Sequence, residues 1–260
     1  MKLKVIQTFG WAVFLVLLGF AVPANAQDMT GNKEKEKKWD VLNPPFKLSS
    51  VLIDTTETTW SSLAITPDGR SIVFDMLGDL YIVDIAGGEA RPLTQDLAWN
   101  IQPAVSPDGR QIAFISDRGG ISNLWLMNID GTDLRQISQE KQNLIHSPDW
   151  SPDGQYIAVM KGIMSSRSIP AGEIWLYHRG GGAGLEIKKR KGGKKEQKNI
   201  ADPAFSPDGK YILFERQGIK SVKGGYVVSI ADVCYVPSTG GKAVNLTGDI
   251  DGYATPRWWR

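Results

Sequence analysis

Short apolar runs recur from Trp60 onward, each bounded by polar turn residues instead of continuing at helical spacing. Ser71-Ile72-Val73-Phe74, Gln111-Ile112-Ala113-Phe114, Tyr156-Ile157-Ala158-Val159 and Tyr211-Ile212-Leu213-Phe214 match one another. Before them stand Trp60 to Ile65, Ile101 to Val105, Pro148 to Trp150 and Pro203 to Phe205. The runs are apolar on both faces, as strands buried between stacked sheets are. Strands are expected throughout, with no long amphipathic helix.

One tetrapeptide separates each pair of runs: Thr66-Pro67-Asp68-Gly69, Ser106-Pro107-Asp108-Gly109, Ser151-Pro152-Asp153-Gly154 and Ser206-Pro207-Asp208-Gly209. Pro presets φ for the second turn position, the Asp and hydroxyl side chains bond nearby backbone N–H groups, and Gly accepts φ > 0. A third and a fourth run follow. Asp79 to Val83 leads through Gly87-Gly88 to Pro92-Leu93-Thr94, and Asn123 to Met127 leads through Asp130-Gly131 to Gln136-Ile137-Ser138. Asp232 to Val236 leads through Gly240-Gly241 to Asn245-Leu246-Thr247, and Glu173 to Tyr177 opens a looser copy.

The turn prolines are 40 (67 to 107), 45 (107 to 152) and 55 (152 to 207) residues apart, which brackets a four-stranded propeller blade. The fold read from this is an all-β β-propeller, incomplete, with about four blades at 60–98, 100–141, 146–199 and 201–249 and the start of another at 253–260. Chemistry needs a group once, whereas a geometry needed in every repeat recurs in every repeat. Pro67, Asp68, Gly69, Pro107, Asp108, Gly109, Pro152, Asp153, Gly154, Pro207, Asp208 and Gly209 are therefore structural turn residues. From turn glycine to third run the distance grows from 10 (69 to 79) to 14 (109 to 123), 19 (154 to 173) and 23 (209 to 232). These connections, including Ser116 to Gly120, Lys161 to Gly172 and Glu215 to Ala231, share one face, where specificity is expected.

Lys2 and Lys4 precede an apolar run from Trp11 to Val22, and Ala24-Asn25-Ala26 supplies a small-residue cleavage site. Residues 1–26 are thus expected to be a signal peptide, 27–46 a flexible linker and 47–260 the propeller region, periplasmic or secreted, with no stable membrane insertion after cleavage. Without Lys2 and Lys4 the 30 basic side chains fall to 28, matching 28 acidic ones, so no global field holds nucleic acid. Lys188 to Lys198 carries seven basic residues and reads as a solvated connector. Cys234, the one cysteine, replaces Tyr81 and Trp125 in the repeat and reads as a buried filler.

No catalytic residue, cofactor-binding residue or metal ligand emerges. His146 and His178 form no H-x-H or H-E-x-x-H, and G-x-S-x-G is absent. Gly180 to Gly184 falls where other blades place a turn; Asp249 to Gly252 reads as an inter-blade turn and lacks later calcium ligands. Trp125 and Trp175, at equivalent positions, are core residues before they are binding platforms.

These blades resemble TolB-like propellers, and more closely the amino-terminal propeller of secreted bacterial amidohydrolases of the imidazolonepropionase-like type. The resemblance runs from Trp39 to Phe214 and is carried by Trp39 to Pro45, Phe74 to Tyr81, Leu97-Ala98-Trp99, Ser116-Asp117-Arg118 and Ala171 to Arg179; Gly218 to Ile230 departs from it. It implies a hydrolytic metal site in a carboxy-terminal domain, none of whose ligands has a counterpart here, so no cofactor is expected in this chain. Pro256 and Trp258 repeat Pro148 and Trp150 just before Arg260, so a truncated product is expected. Three readings stay open: the non-catalytic propeller of an exported metal-dependent amidohydrolase, a stand-alone TolB-like propeller binding envelope proteins, and the propeller of a prolyl-oligopeptidase-like or tricorn-like peptidase. The expected partner is a protein or an attached hydrolase domain.

Overall fold

The computed structural model describes residues 3–9, 40–163, 171–189, 199–221, 227–248, 250–251 and 256–257. Most of the expected signal peptide and linker, the core of the Lys188 to Lys198 run, Asp249, Gly252 and Trp258 lie outside them. Two strands precede the blades, β1 (Leu3–Phe9) and β2 (Ser49–Thr55), paired antiparallel. Blade I comprises β3 (Leu63–Ile65), β4 (Ser71–Met76), β5 (Asp79–Asp84) and β6 (Arg91–Pro92), and blade II comprises β7 (Asn100–Val105), β8 (Gln111–Ser116), β9 (Asn123–Asn128) and β10 (Arg135–Gln136). Blade III has β11 (Leu144–Trp150), β12 (Tyr156–Ile163), β13 (Ala171–His178) and β14 (Leu185–Lys188). Blade IV has β15 (Asn199–Phe205), β16 (Tyr211–Ser221), β17 (Val227–Pro237) and β18 (Val244–Asn245), with β19 (Ile250–Asp251) paired beside β17. Each blade is an antiparallel meander in chain order, and no described residue is helical.

Apolar residues on both faces of each sheet fill the seams between blades. Val73 and Leu80 of blade I pack with Ile112 and Phe114 of blade II; Ile115 and Leu124 pack with Trp150 and Ile157; Ala158 and Ile174 pack with Phe205 and Phe214. Cys234 is fully buried in the last of these seams, as its place in the repeat implied. Ile65 stands where Val105, Trp150 and Phe205 stand in later blades, yet it and Leu63 are exposed. The outer face of blade I is thus exposed only along β3, since Phe74, Met76, Tyr81 and Val83 on it are buried with Ile53 of β2 packed against them, and the four blades form an incomplete propeller.

The first strands of blades III and IV begin earlier than the prolines that opened their expected runs. β11 starts at Leu144 and β15 at Asn199, because a bulge between His146 and Asp149, and another between Ala201 and Ala204, carries each strand past its proline. A larger correction concerns the lengthening connections. The extra residues after the last two turns extend the hairpins: β16 and β17 stay paired from Tyr211↔Pro237 to Ser221↔Val227. Glu215 to Ser221 and Val227 to Ala231 are thus strand, not loop.

The four turns are built alike. Thr66, Ser106, Ser151 and Ser206 each donate a hydroxyl to the turn Asp at 2.6 to 2.7 Å, and each Asp accepts the N–H two residues on. Gly69, Gly109, Gly154 and Gly209 adopt φ of 68° to 71°. Each of the last three lies against the preceding turn's proline, with Gly109 over Pro67, Gly154 over Pro107 and Gly209 over Pro152, so the turns stack into a ladder. The Ser106 hydroxyl, with the Arg110 N–H, holds the Asp108 carboxyl below the ordinary carboxylate range. Asp108→Ala is expected to lower stability by about 1 kcal/mol at pH 7. A depressed carboxylate contributes above its unfolded value and loses that contribution as pH falls, so the gap should close in acid. Thermal melts at pH 7 and pH 3 check both.

Candidate functional site

The first strands β3, β7, β11 and β15 contact one another in succession and so line the axis of the propeller. Each bulge on them places a non-glycine residue at positive φ: Gln102 at 55°, Ser147 at 52° and Asp202 at 49°. These residues link blade to blade. Asp75 Oδ1 accepts the Ser62 N–H at 2.9 Å and Oδ2 accepts the Gln102 N–H at 2.7 Å; Gln102 Oε1 accepts the Ser147 N–H at 2.8 Å; and Ser147 Oγ donates to Asp202 Oδ1 at 2.7 Å. Burial raises the Asp75 carboxyl. Burial lowers His146, while the Asp202 carboxylate pulls it the other way, so the imidazole is neutral at pH 7. Ser147 donates its hydroxyl to the Asp202 carboxylate and not to His146.

A second set of contacts lies on the face where second strands turn into third strands and fourth strands cross to the next blade. Arg118 bonds Asp96 Oδ2 at 3.0 Å, on the crossing from blade I, and Asn100 Oδ1 at 2.8 Å, at the start of β7, and its guanidinium lies 5.2 Å from the Trp125 ring centroid. In the next seam Lys161 Nζ bonds Glu140 Oε1 at 2.8 Å and sits 3.9 Å from the Trp175 centroid. Tyr177 donates to the same Glu140 oxygen at 2.8 Å, and Trp175 Nε1 donates to Glu173 Oε2 at 3.1 Å. Burial pushes the Glu140 carboxyl up, but Lys161, Asn143 and Tyr177 together hold it below its ordinary value. In blade IV, Arg216 grips Asp232. The seams between blades I and II and between blades II and III therefore each have a largely buried cation, held by a carboxylate and capped by an indole, while the Arg216 pair lies within blade IV.

Below these grips a hydroxyl recurs in three blades. Thr94 accepts the Leu80 N–H at 2.9 Å and donates to Asp79 at 2.8 Å; Ser138 accepts from Leu124 at 2.8 Å and donates to Asn123 at 2.7 Å; Thr247 accepts the Val233 N–H at 3.0 Å. Asp79, mainly through burial, is pushed up to about 6.

The hairpin of β16 and β17 rises from this same face. Its pairing continues for five residues beyond Arg216↔Asp232, from Gln217↔Ala231 to Ser221↔Val227, which at the rise of a strand extends it by roughly 17 Å. The turn residues singled out from the sequence all lie on the opposite face. Trp125 and Trp175 are packed into the seams, as expected, and also lie beneath the cations. Sequence reasoning did not find the Arg118 and Lys161 grips, although Arg118 stood in a motif that carried the resemblance. Among the described residues, no group of three His, Cys, Asp or Glu is placed to hold a metal ion, and no helix is long and apolar enough to cross a membrane.

Residues 50–175 match the model of the TolB beta propeller domain family. The fold is a TolB-like β-propeller. TolB from Acinetobacter baumannii superposes with a TM-score of 0.59 at 18% identity, over 81% of this chain and 48% of that one. In sequence, the chain is 30% identical to the uncharacterized peptidase YuxL of Bacillus subtilis over 52% of its own length, and 28% identical to a putative tricorn-like protease C-terminal subunit of Sulfurisphaera tokodaii over 60%. It spans 24% and 16% of those two relatives. None of these likenesses shows the amidohydrolase resemblance expected from Trp39 to Phe214.

Proposed function

We propose that this chain is the non-catalytic propeller of a larger exported hydrolase, and that its loop face orients or gates substrate for an attached catalytic domain. The observation that carries this reading is the loop face, where Arg118 and Lys161 are held between blades by carboxylates and where the β16–β17 hairpin stays paired five residues past Arg216↔Asp232. A rim cross-linked between blades, with one lengthened hairpin, suits docking of a domain. The amidohydrolase parent is favoured by the resemblance over Trp39 to Phe214. A peptidase parent is favoured by the identity to YuxL, and a stand-alone binding propeller by the likeness to TolB.

A hydrolase must activate water or a nucleophile, through a metal held by convergent ligands or a Ser or Cys paired with a base. Lacking these motifs, the chain alone is expected to hydrolyse nothing. The test compares residues 27–260 with the full-length natural protein on amide, dipeptide and cyclic-amide substrates, with added zinc or manganese. Chelator-sensitive turnover in the longer protein alone supports the amidohydrolase parent, and turnover blocked by a serine-directed phosphonate supports the peptidase. Turnover by the shorter chain that survives further purification overturns the proposal.

A further inference from the structure

On the turn face one repeat position closes each seam between blades, and it is filled differently in each. Ile129, Arg179 and Ser238 occupy one repeat position, each donating its backbone N–H to the carbonyl just after a turn glycine, of Arg110, Gln155 and Lys210. Between blades I and II, Ile129 packs into the apolar seam. Between blades II and III, the Arg179 side chain is the filling. Its Nη2 donates to Gln111 Oε1 at 2.7 Å and its Nη1 to the Gly154 carbonyl at 3.4 Å; its guanidinium lies 6.0 Å from the Trp150 ring centroid, and its charge faces Asp108. Between blades III and IV, the short Ser238 leaves a groove of about 720 Å³.

The walls of that groove repeat the surroundings of Arg179. Phe205 stands in the place of Trp150, Asp153 in that of Asp108, Gly209 in that of Gly154 and Tyr156 in that of Gln111, and all four line it. Among the described residues Asp153 has no cationic partner, whereas Asp208 on the other rim is paired with Lys210 at 3.3 Å. The groove thus keeps an aromatic floor, a backbone acceptor and a carboxylate with no cation beside it, while the Tyr156 ring takes the place of the Gln111 amide.

We propose that the groove between blades III and IV receives an arginine side chain from a partner polypeptide. An arginine fits better than a lysine, because the carbonyl, the carboxylate and the ring face call for a flat, forked donor. The groove lies on the face opposite the hairpin, so this inference goes beyond the gating role and does not depend on it.

The test is fluorescence anisotropy of the full chain with a labelled alanine pentapeptide carrying one central arginine, and with its citrulline counterpart. The arginine peptide is expected to bind at submillimolar concentration and the citrulline peptide at least tenfold more weakly. Ser238→Arg, which supplies the filling from within, should abolish binding without lowering the melting temperature. If that variant fails to fold, Asp153→Asn, which keeps an acceptor for the Ser151 hydroxyl, should weaken binding several-fold. No binding at millimolar peptide, equal binding of citrulline, or unchanged binding by a folded variant would each overturn the proposal.

Discussion

Replacing Gly172 by alanine should destabilise the propeller more than any single turn substitution, by about 3 kcal/mol or more, the upper range for overpacking a filled site. Gly172 lies where blade III meets the inner strand of blade IV, and its N–H donates to Asn199 Oδ1 at the start of β15. A Cβ at this position would fall 1.8 Å from the Ile200 carbonyl oxygen and 2.9 Å from Met160 Cγ. The methionine can move, but the carbonyl belongs to a paired strand, since Ile200 is in register with Arg216. Relief therefore requires the two blades to part, which opens the seam around Ile174 and Phe214. Chemical denaturation should show a lower midpoint for Gly172→Ala, whereas Gly87→Ala, whose Cβ would meet nothing within 4 Å, should show only the modest cost of positive φ. Equal midpoints for Gly172→Ala and the parent would mean that the seam is looser than these distances allow.

What could be read from the sequence was local and repeated. Four copies of one turn and the runs around it placed every blade, because a turn's hydrogen bonds lie within five residues of one another. The bulges were less legible, though a trace existed: Gln102, Ser147 and Asp202 each stand directly before a proline, and these are the residues at positive φ. The hairpin of blade IV was read as loop because Gly218 and the polar stretch from Glu215 to Gln217 broke the apolar pattern. What extends it is the backbone pairing of β16 with β17, which apolar periodicity does not announce. The seam cations were invisible for a different reason. Lys161 meets Glu140 and Trp175, and Arg118 meets Asp96 and Trp125, across distances in sequence that only the stacking of blades removes.

Asp79→Asn should stabilise the protein at neutral pH, and the gain should disappear in acid. Asp79 opens the third strand of blade I, buried beneath the Arg118 grip, with the Asp96 charge nearby adding to the effect of burial. Its folded value of about 6 lies above the ordinary value of 3.8, so the folded state retains a proton that the unfolded chain has released. For a carboxylate displaced in this direction, the favourable contribution is fully present below the unfolded value and is lost as pH rises through the folded one. A displacement of about two pH units corresponds to about 3 kcal/mol at most, and partial screening by solvent and Arg118 leaves roughly 1 to 2 kcal/mol. Blade II shows that the amide is tolerated at the equivalent position: Asn123 accepts the Ser138 hydroxyl there as Asp79 accepts that of Thr94. Urea unfolding of both proteins from pH 4 to pH 8 should show the variant ahead by that margin at pH 7, with the curves converging near pH 4. A wild-type protein that stays the more stable at pH 7, or a gap that does not change with pH, would show that the Thr94 bond and the Arg118 charge outweigh burial at this carboxylate.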